Sequence, residues 1–282
     1  MYTFRARGAY GDVMELTHNP AYDIQEIDGL DPAQAVINAT RNAGQDGSTF
    51  NSAYVQERQI TITLVINKPA EANRIALYRF FKPKFPVRLY YSNGARDVYI
   101  DGYTQTVMVD FFAKKEAAQI TVICPRPYFQ AAEDQLEDIS SVVSLFEFPF
   151  SIAAEGIPFS EMDFNTERVV TNTGDVDAGI EIVMHARGAV QNPRIYNVQT
   201  QEALVLNVTM EEGDTITINT GRGEKVATLL RDGVETSIAG MIAEGSTWLQ
   251  LAPGDTLINT IADVGTENLE VYITFRALFE GV

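Results

Sequence analysis

The chain has 282 residues, 45% of them hydrophobic, with a formal net charge of −17 at pH 7. This length is sufficient for two ordinary domains, each with its own core. The single cysteine, Cys124, excludes an internal disulfide and a cysteine-based zinc site. No apolar run approaches about 18 residues, and residues 1–7 lack the apolar centre of a signal peptide, so the sequence argues against a membrane span and against export.

The negative charge is confined to the second half of the chain. Residues 1–130 contain 14 Lys and Arg against 13 Asp and Glu, whereas residues 131–282 contain 7 against 25. The acidic half would repel phosphates and anionic lipids, and the first half has no basic run. We therefore expect neither a nucleic-acid partner nor a membrane partner.

The first half is predicted to be mainly β with one helix. The helix is predicted at 69–81, because Pro69 suits a first turn and Pro83 ends the apolar periodicity. Alternating or β-branched segments predict strands at 13–17, 22–27, 59–66, 87–91, 98–100, 106–112 and 119–124. Pro125 and Pro127 cannot donate to a strand ladder and are predicted to close this domain.

Residues 30–56 form a long stretch that is predicted to be irregular, with a Gly- and Asp-rich turn at 44–50. Segments of this kind are uncommon in compact domains unless they are functional, disordered or ordered by a partner. Phe50, Tyr54 and Val55 have no local core to enter. Together with Arg58, which begins the next strand, they are the candidate contacts to a partner.

The second half is predicted to be an antiparallel β-sandwich. It follows an acidic connector at 130–141 with room for a short helical turn, so the predicted domains are 1–130 and 131–282. Short strands separated by Gly, Asn and Asp turns are predicted at 178–185, 194–198, 203–209, 215–219, 225–229, 247–251, 256–262 and 269–279.

The residues predict no catalytic, cofactor or metal site. His18 and His185 lie far apart, without ligand-spaced neighbours. The acidic turn at 172–177 lacks the spacing and terminal Glu of a calcium loop. The glycines at 221–223 lead into a strand rather than a helix, which is typical of a hairpin loop and not of a phosphate cradle. Cys124, among apolar neighbours, is predicted to be a buried, unreactive thiol.

A carbohydrate-binding or carbohydrate-cleaving sandwich is the alternative function. Glycoside hydrolysis needs two carboxyl groups across a cleft lined by aromatic rings, and the acidic half offers many carboxylates. Trp248, the only tryptophan, alternates with Leu249 and Leu251 and fits either a sugar-stacking platform or a core position between the sheets.

Ordered motifs along the chain resemble the distal tail proteins of long-tailed bacteriophages. Those of the first half are Ile27–Leu30, Gly44–Phe50, Arg58–Ile66, Leu77–Phe81 and Cys124–Phe129. Those of the second half are Phe146–Phe150, Asn172–Val176, Asn192–Ile195, Gly213–Thr220, Ser246–Leu249 and Leu251–Asp255.

The resemblance implies a structural protein without enzymatic activity. The first domain would form a head-to-tail hexameric ring that joins the tail tube to the tail-tip and host-adsorption apparatus, and the second would be a galectin-like sandwich outside the ring. The implied partners are further copies of the chain, the tail tube protein and a tail-tip hub or fibre protein. The implied location is the tail tip of the virion, after assembly in the host cytoplasm. A tube or baseplate protein from a neighbouring position in the tail is a further possibility.

Overall fold

The computed structural model describes residues 2–44, 46–110, 113, 115–139, 142–144, 160–162 and 167–282. The chain divides into two compact units. The first unit contains Met1–Ala132 together with Leu278–Val282, and the second contains Glu133–Ala277. Residues 278–282, which the sequence analysis assigns to the second domain, therefore belong to the first unit.

The first unit begins with ten strands and one helix. They are β1 (Thr3–Arg7), β2 (Val13–Glu15), β3 (Tyr22–Asp28), β4 (Ala35–Thr40), β5 (Thr49–Val55), β6 (Arg58–Ile66), α1 (Ala70–Phe80), β7 (Pro86–Ser92), β8 (Asp97–Val109), β9 (Ala117–Cys124) and β10 (Phe129–Ala131).

An antiparallel sheet in the order β2-β1-β7-β8-β9-β6-β3 is the main body of this unit. One face of the sheet carries alternating buried residues such as Phe4, Leu89 and Ile62, which form the core. Helix α1 follows Pro69 and buries Leu77 against that core, and Phe81 is buried directly after the helix. The predicted helix is confirmed.

Two predictions for the first unit need correction. The stretch 30–56, predicted to be irregular, contains β4 and β5, which pair with each other. The sequence pattern hides them because both faces of this hairpin are solvent exposed, so apolar and polar residues need not alternate as in a half-buried strand. The segments 98–100 and 106–112 belong largely to one strand, β8, whose pairing shifts between Thr104 and Thr106. Phe111 and Phe112 lie outside the described residues.

The second unit contains fifteen of the described strands and two short 3₁₀ helices, Ala239–Met241 and Thr266–Asn268. The strands are β11 (Gln135–Asp138), β12 (Val142–Ser144), β13 (Ser160–Met162), β14 (Arg168–Asn172), β15 (Ala178–Ala186), β16 (Val190–Gln191), β17 (Arg194–Asn197), β18 (Ala203–Val205), β19 (Thr209–Met210), β20 (Thr215–Asn219), β21 (Val226–Arg231), β22 (Val234–Ser237), β23 (Gln250–Leu251), β24 (Gly254–Ile261) and β25 (Leu269–Phe275). The chain then returns to the first unit as β26 (Leu278–Phe279), which pairs with β10.

Two antiparallel sheets pack against each other in the second unit. One has the order β11-β25-β15-β20-β21-β22, and the other has the order β14-β24-β17-β18. Buried residues from both, including Ile182 and Ile273 of the first and Ile195 and Ile258 of the second, form a single core. The predicted mainly β fold, with a sandwich in the second half, is confirmed.

The acidic connector differs from its prediction. Residues 135–138 form strand β11 at the edge of a sheet and not a helical turn, because they pair with β25. Acidic side chains on an exposed edge strand hinder its pairing with strands of other chains, so the charge of this segment protects the edge of the sheet. The predicted strand 269–279 is divided between β25 and β26. The connector residues 140–141 and the motif Phe146–Phe150 lie outside the described residues.

Candidate functional site

The β4–β5 hairpin is the candidate interface of the first unit. It forms a two-stranded sheet of its own, and nearly all its residues are exposed to solvent. Its base is closed by a bond from the Gln56 amide to the Gln34 carbonyl. An isolated two-stranded hairpin is at best marginally stable in water, so a surface that covers it would stabilise it.

A shift in strand pairing between Asn38 and Ala39 sorts the side chains of this hairpin. Phe50 pairs with Ala39 rather than with Thr40, which it would face without the shift, and residues paired across antiparallel strands lie on the same face. The bulge thereby places Phe50 with the other apolar residues. We define the apolar face of the hairpin as Ala35, Ile37, Ala39, Phe50, Ala53 and Val55.

The opposite face of the hairpin is largely polar. The Asn38 side chain donates to the Ser52 hydroxyl at 3.1 Å, and the Asn51 side chain donates to the Thr40 hydroxyl at 2.6 Å. Tyr54 lies on this face, away from Phe50. Two of the three predicted apolar contacts, Phe50 and Val55, therefore share one surface, and Tyr54 lies on the other.

The apolar face is the part of the hairpin that favours a partner most strongly. Ile37 is 67% exposed and Phe50 is 64% exposed. Complete burial of a side chain of this type is worth about 1.5–3 kcal/mol. Large exposed apolar patches are typical of interaction sites, so this face is the candidate contact surface. Ile37 was missed in the sequence analysis, because it follows two other apolar residues, Ala35 and Val36, and the segment shows no clear alternation.

Arg58 does not lie on the exposed surface with these residues. Its side chain is 3% exposed and donates to four backbone carbonyls, those of Gly29, Asp31, Pro127 and Glu280, at 2.5–2.6 Å. Burial lowers the pKa of its guanidinium below the usual value. The prediction that Arg58 contacts a partner is therefore corrected. Arg58 instead joins the base of the hairpin to three other segments of the first unit.

Trp248 lies in the second unit at the edge of the sandwich core. Its side chain is partly buried and packs against that core, and the Lys225 ammonium lies 5.5 Å from the ring centroid. The core contact accords with one of the two interpretations left open by the sequence. Sugar stacking by Trp248 stays a prediction.

The remaining chemically capable side chains have local structural contacts. His18 Nε2 lies 3.1 Å from the Tyr2 carbonyl oxygen, and His185 Nδ1 lies 3.1 Å from the Thr215 hydroxyl. Burial raises the pKa of Cys124 to about 12, so its thiol is not ionised near neutral pH. Within the described ranges, no three His, Cys, Asp or Glu residues are grouped so as to hold a metal ion.

Among the residues that the structure describes, no helix has the length and apolar character needed to cross a bilayer.

Family models match both halves of the chain. Residues 11–124 match the phage tail protein RIFT-related domain, and residues 173–279 match the C-terminal domain of siphovirus-type tail components. The two matches lie in the order of the two units and together cover most of the chain. This chain belongs to the siphophage distal tail proteins. Its role in the phage tail is structural.

Solved structures of phage tail proteins share the fold of this distal tail protein. The Dit protein of phage SPP1, described as a paradigm of the hub adsorption apparatus in phages that infect Gram-positive hosts, aligns with a TM-score of 0.68 and 13% identity over 98% of this chain and 99% of that chain. Chains of the phage P2 baseplate in its activated conformation, with Ca or Sr, align with TM-scores of 0.55 and 0.53 at 13% and 12% identity over the full length of both chains. No curated protein sequence matches the chain significantly.

Proposed function

We propose that this distal tail protein forms a closed hexameric ring through its first unit and serves as the adaptor between the tail tube and the tail tip. The observation that carries the proposal is the exposed apolar face of the β4–β5 hairpin. The hairpin is a two-stranded sheet of its own, and its apolar face is uncovered in the single chain. In a ring, a neighbouring copy of the chain would cover that face.

Ring closure needs a contact between two different surfaces of each copy. Such heterologous contacts produce a ring when the rotation between copies closes and a filament when it does not. The hairpin supplies one of the two surfaces. Residues 1–130 are almost neutral, with 14 basic and 13 acidic side chains, so copies can pack through this part of the chain without long-range repulsion. The number six rests on the family resemblance.

The partners and the location follow from the same proposal. One side of the ring would bind the tail tube protein and the other a tail-tip hub or fibre protein, at the tail tip of the virion, after assembly in the host cytoplasm. The acidic second half, with 7 basic and 25 acidic side chains, would repel its equivalents and face solvent outside the ring. Neither nucleic acid nor membrane is a partner in this proposal. The domains remain those of the sequence analysis, with residues 278–282 added to the ring-forming part.

The test is a charge placed on each face of the hairpin. In the double variant Ile37→Asp and Phe50→Asp, both new carboxylates lie on the apolar face. In the matched control, Asn38→Asp and Thr49→Asp, the same two charges lie on the opposite face. Sedimentation velocity and negative-stain imaging of each protein, alone and with the tail tube protein, measure assembly.

We expect closed oligomers for the wild type and the control, and a monomer for the apolar-face variant with an unchanged circular dichroism spectrum. If the apolar-face variant forms rings at the same protein concentrations as the wild type, the hairpin is excluded as the contact between copies. A wild-type chain that remains monomeric with and without its tail partners would exclude the ring.

We also propose that the chain has no enzymatic activity. The two histidines bond to a backbone carbonyl and a threonine hydroxyl, and Cys124 is a buried thiol. Polysaccharide, peptidoglycan and ester substrates should therefore survive incubation, with or without divalent metals. Turnover that is lost on changing one acidic residue of the second unit would favour the carbohydrate-cleaving alternative instead.

A further inference from the structure

Three neighbouring strands of the first unit place two arginines side by side on the exposed face of the main sheet. Arg7 of β1 pairs directly with Arg88 of β7, and Arg88 pairs with Asp101 of β8. Side chains paired in this way are close neighbours on one face, and like charges in such a pair destabilise the sheet. The row Arg7–Arg88–Asp101 therefore has two cations and one anion.

Asp101 neutralises only one of the two arginines. Arg88 donates to both carboxylate oxygens of Asp101, at 2.6 and 2.9 Å, and its guanidinium also lies 4.0 Å from the centroid of the Tyr99 ring. The hydrogen bond to Asp101 raises the pKa of Arg88 above the usual value. Arg7, by contrast, is exposed and has no ion pair with any other described residue. The Arg7 guanidinium therefore lies beside the Arg88 guanidinium and has no carboxylate partner comparable to Asp101.

These side chains line a cavity of about 600 Å³, which we call the Arg7 pocket. Its other walls are the Gly8–Gly11 turn, Pro86, Tyr103, Pro125 and Arg126. The volume lies within the range of about 300–1,000 Å³ that is typical of ligand sites. The lining thus combines a concave shape with three guanidinium groups and one carboxylate.

We propose that the Arg7 pocket binds carboxylate side chains of an acidic segment on a neighbouring protein of the tail. Guanidinium groups present planar forks of N–H donors that match carboxylates in two-bond contacts. A partner carboxylate would supply Arg7 with the counterion that Asp101 supplies to Arg88. None of the residues that line the pocket belongs to the hairpin.

A protein carboxylate fits this site better than a nucleic acid. Nucleic-acid binding relies on many phosphate contacts along a basic surface, whereas the basic groups here line one pocket whose wall also contains Asp101.

The experiment measures binding of fluorescein-labelled hexaglutamate to the full chain by fluorescence anisotropy, at low and high salt. Arg7→Gln removes the exposed cation without touching the Arg88–Asp101 pair, and Arg7→Gln with Arg126→Gln removes two cations. Arg222→Gln is the control, because Arg222 is an exposed arginine of the second unit whose side chain is 78% exposed. Ala9→Phe retains every charge and fills the pocket.

We expect the peptide to bind the wild type and Arg222→Gln equally, and about tenfold more weakly to Arg7→Gln, because one charge-assisted contact is lost. The double variant and Ala9→Phe should bind still more weakly, with unchanged circular dichroism spectra. Equal peptide binding by wild type and Arg7→Gln would overturn the proposal, as would an absence of binding to the wild type. Tighter binding of a labelled hexathymidylate than of the peptide would assign the pocket to nucleic acid instead.

Discussion

Replacement of the buried Arg58 by methionine is the perturbation that tests the first unit most directly. Methionine retains the unbranched apolar stem of arginine but removes the guanidinium and all of its donors. Four carbonyl oxygens, those of Gly29, Asp31, Pro127 and Glu280, then lose the donor that they share. Stacking of the guanidinium on the Phe129 ring, at 4.7 Å from its centroid, is lost as well.

The expected loss of stability follows from these contacts. Each hydrogen bond contributes about 1 kcal/mol net, and a buried carbonyl without a partner costs more. The desolvation of the guanidinium, which the wild type bears and the variant does not, offsets part of the sum. We expect a loss of about 3–5 kcal/mol in the free energy of unfolding of the first unit, which is a large share of the roughly 5–15 kcal/mol typical of a domain.

Urea unfolding with hydrogen exchange measured by mass spectrometry is the suitable assay, because it reports the two units separately. In Arg58→Met, exchange should accelerate first in β26 and at residues 29–34, which the guanidinium holds in place. Arg222→Met, at an exposed site of the second unit, is the control. A loss below about 0.5 kcal/mol, the range of neutral surface substitutions, would refute the view that Arg58 connects these segments.

Three further predictions concern other parts of the fold. Gly29→Ala should destabilise the first unit by about 3 kcal/mol or more in thermal unfolding, because Gly29 has a φ of +88° and a Cβ there would lie 2.1 Å from the Gln59 carbonyl oxygen; a melting temperature equal to that of the wild type would contradict this. The hydrogen bond from Arg231 lowers the pKa of Asp214 below the usual value. Asp214 therefore stabilises the second unit above the pKa that it has when unfolded, and this stability is lost as pH falls below about 4 and through the folded pKa. Acid titration should show a shallower loss in Asp214→Asn, and equal slopes would argue against the pair. Residues 133–277 alone should form a soluble monomer at both low and high salt in sedimentation. A ring formed by this fragment would show that the second unit, and not the first, makes the assembly contacts.

The sequence predicts the elements whose faces differ in burial. Helix α1 and strands such as β6 and β15 have one side against a core, so their apolar residues follow the period of the element. The turn residues between the short strands of the second half likewise predict the sandwich, because Gly, Asn and Asp mark chain reversals.

The hairpin escapes sequence prediction because both of its faces are exposed to solvent. A strand with solvent on both faces has no burial pattern to impose on its sequence, and the bulge that moves Phe50 to the apolar face depends on pairing rather than on composition. Phe50 and Val55 were identified from the absence of a local core, which is a weaker signal than periodicity. It found the exposed segment but not Ile37.

Arg58 shows the limit of reasoning from residue type. An arginine at the start of a strand beside an exposed segment resembles a contact residue. Its actual partners are carbonyls that lie 27, 29, 69 and 222 residues away along the chain. No local pattern contains contacts of that separation, so only the folded topology reveals that the residue is buried.

The return of the chain to its first unit has a consequence for the order of synthesis. Strand β26 pairs with β10, Glu280 accepts a bond from Arg58, Gly281 accepts one from Arg96, and the Val282 amide donates to the Leu30 carbonyl. Residues 278–282, which make these contacts, leave the ribosome after the entire second unit. The first unit therefore cannot be completed on a truncated chain. A polypeptide that stops within the sandwich lacks strand β26, which extends the sheet of the first unit, and the carbonyl acceptors of Arg58 and Arg96.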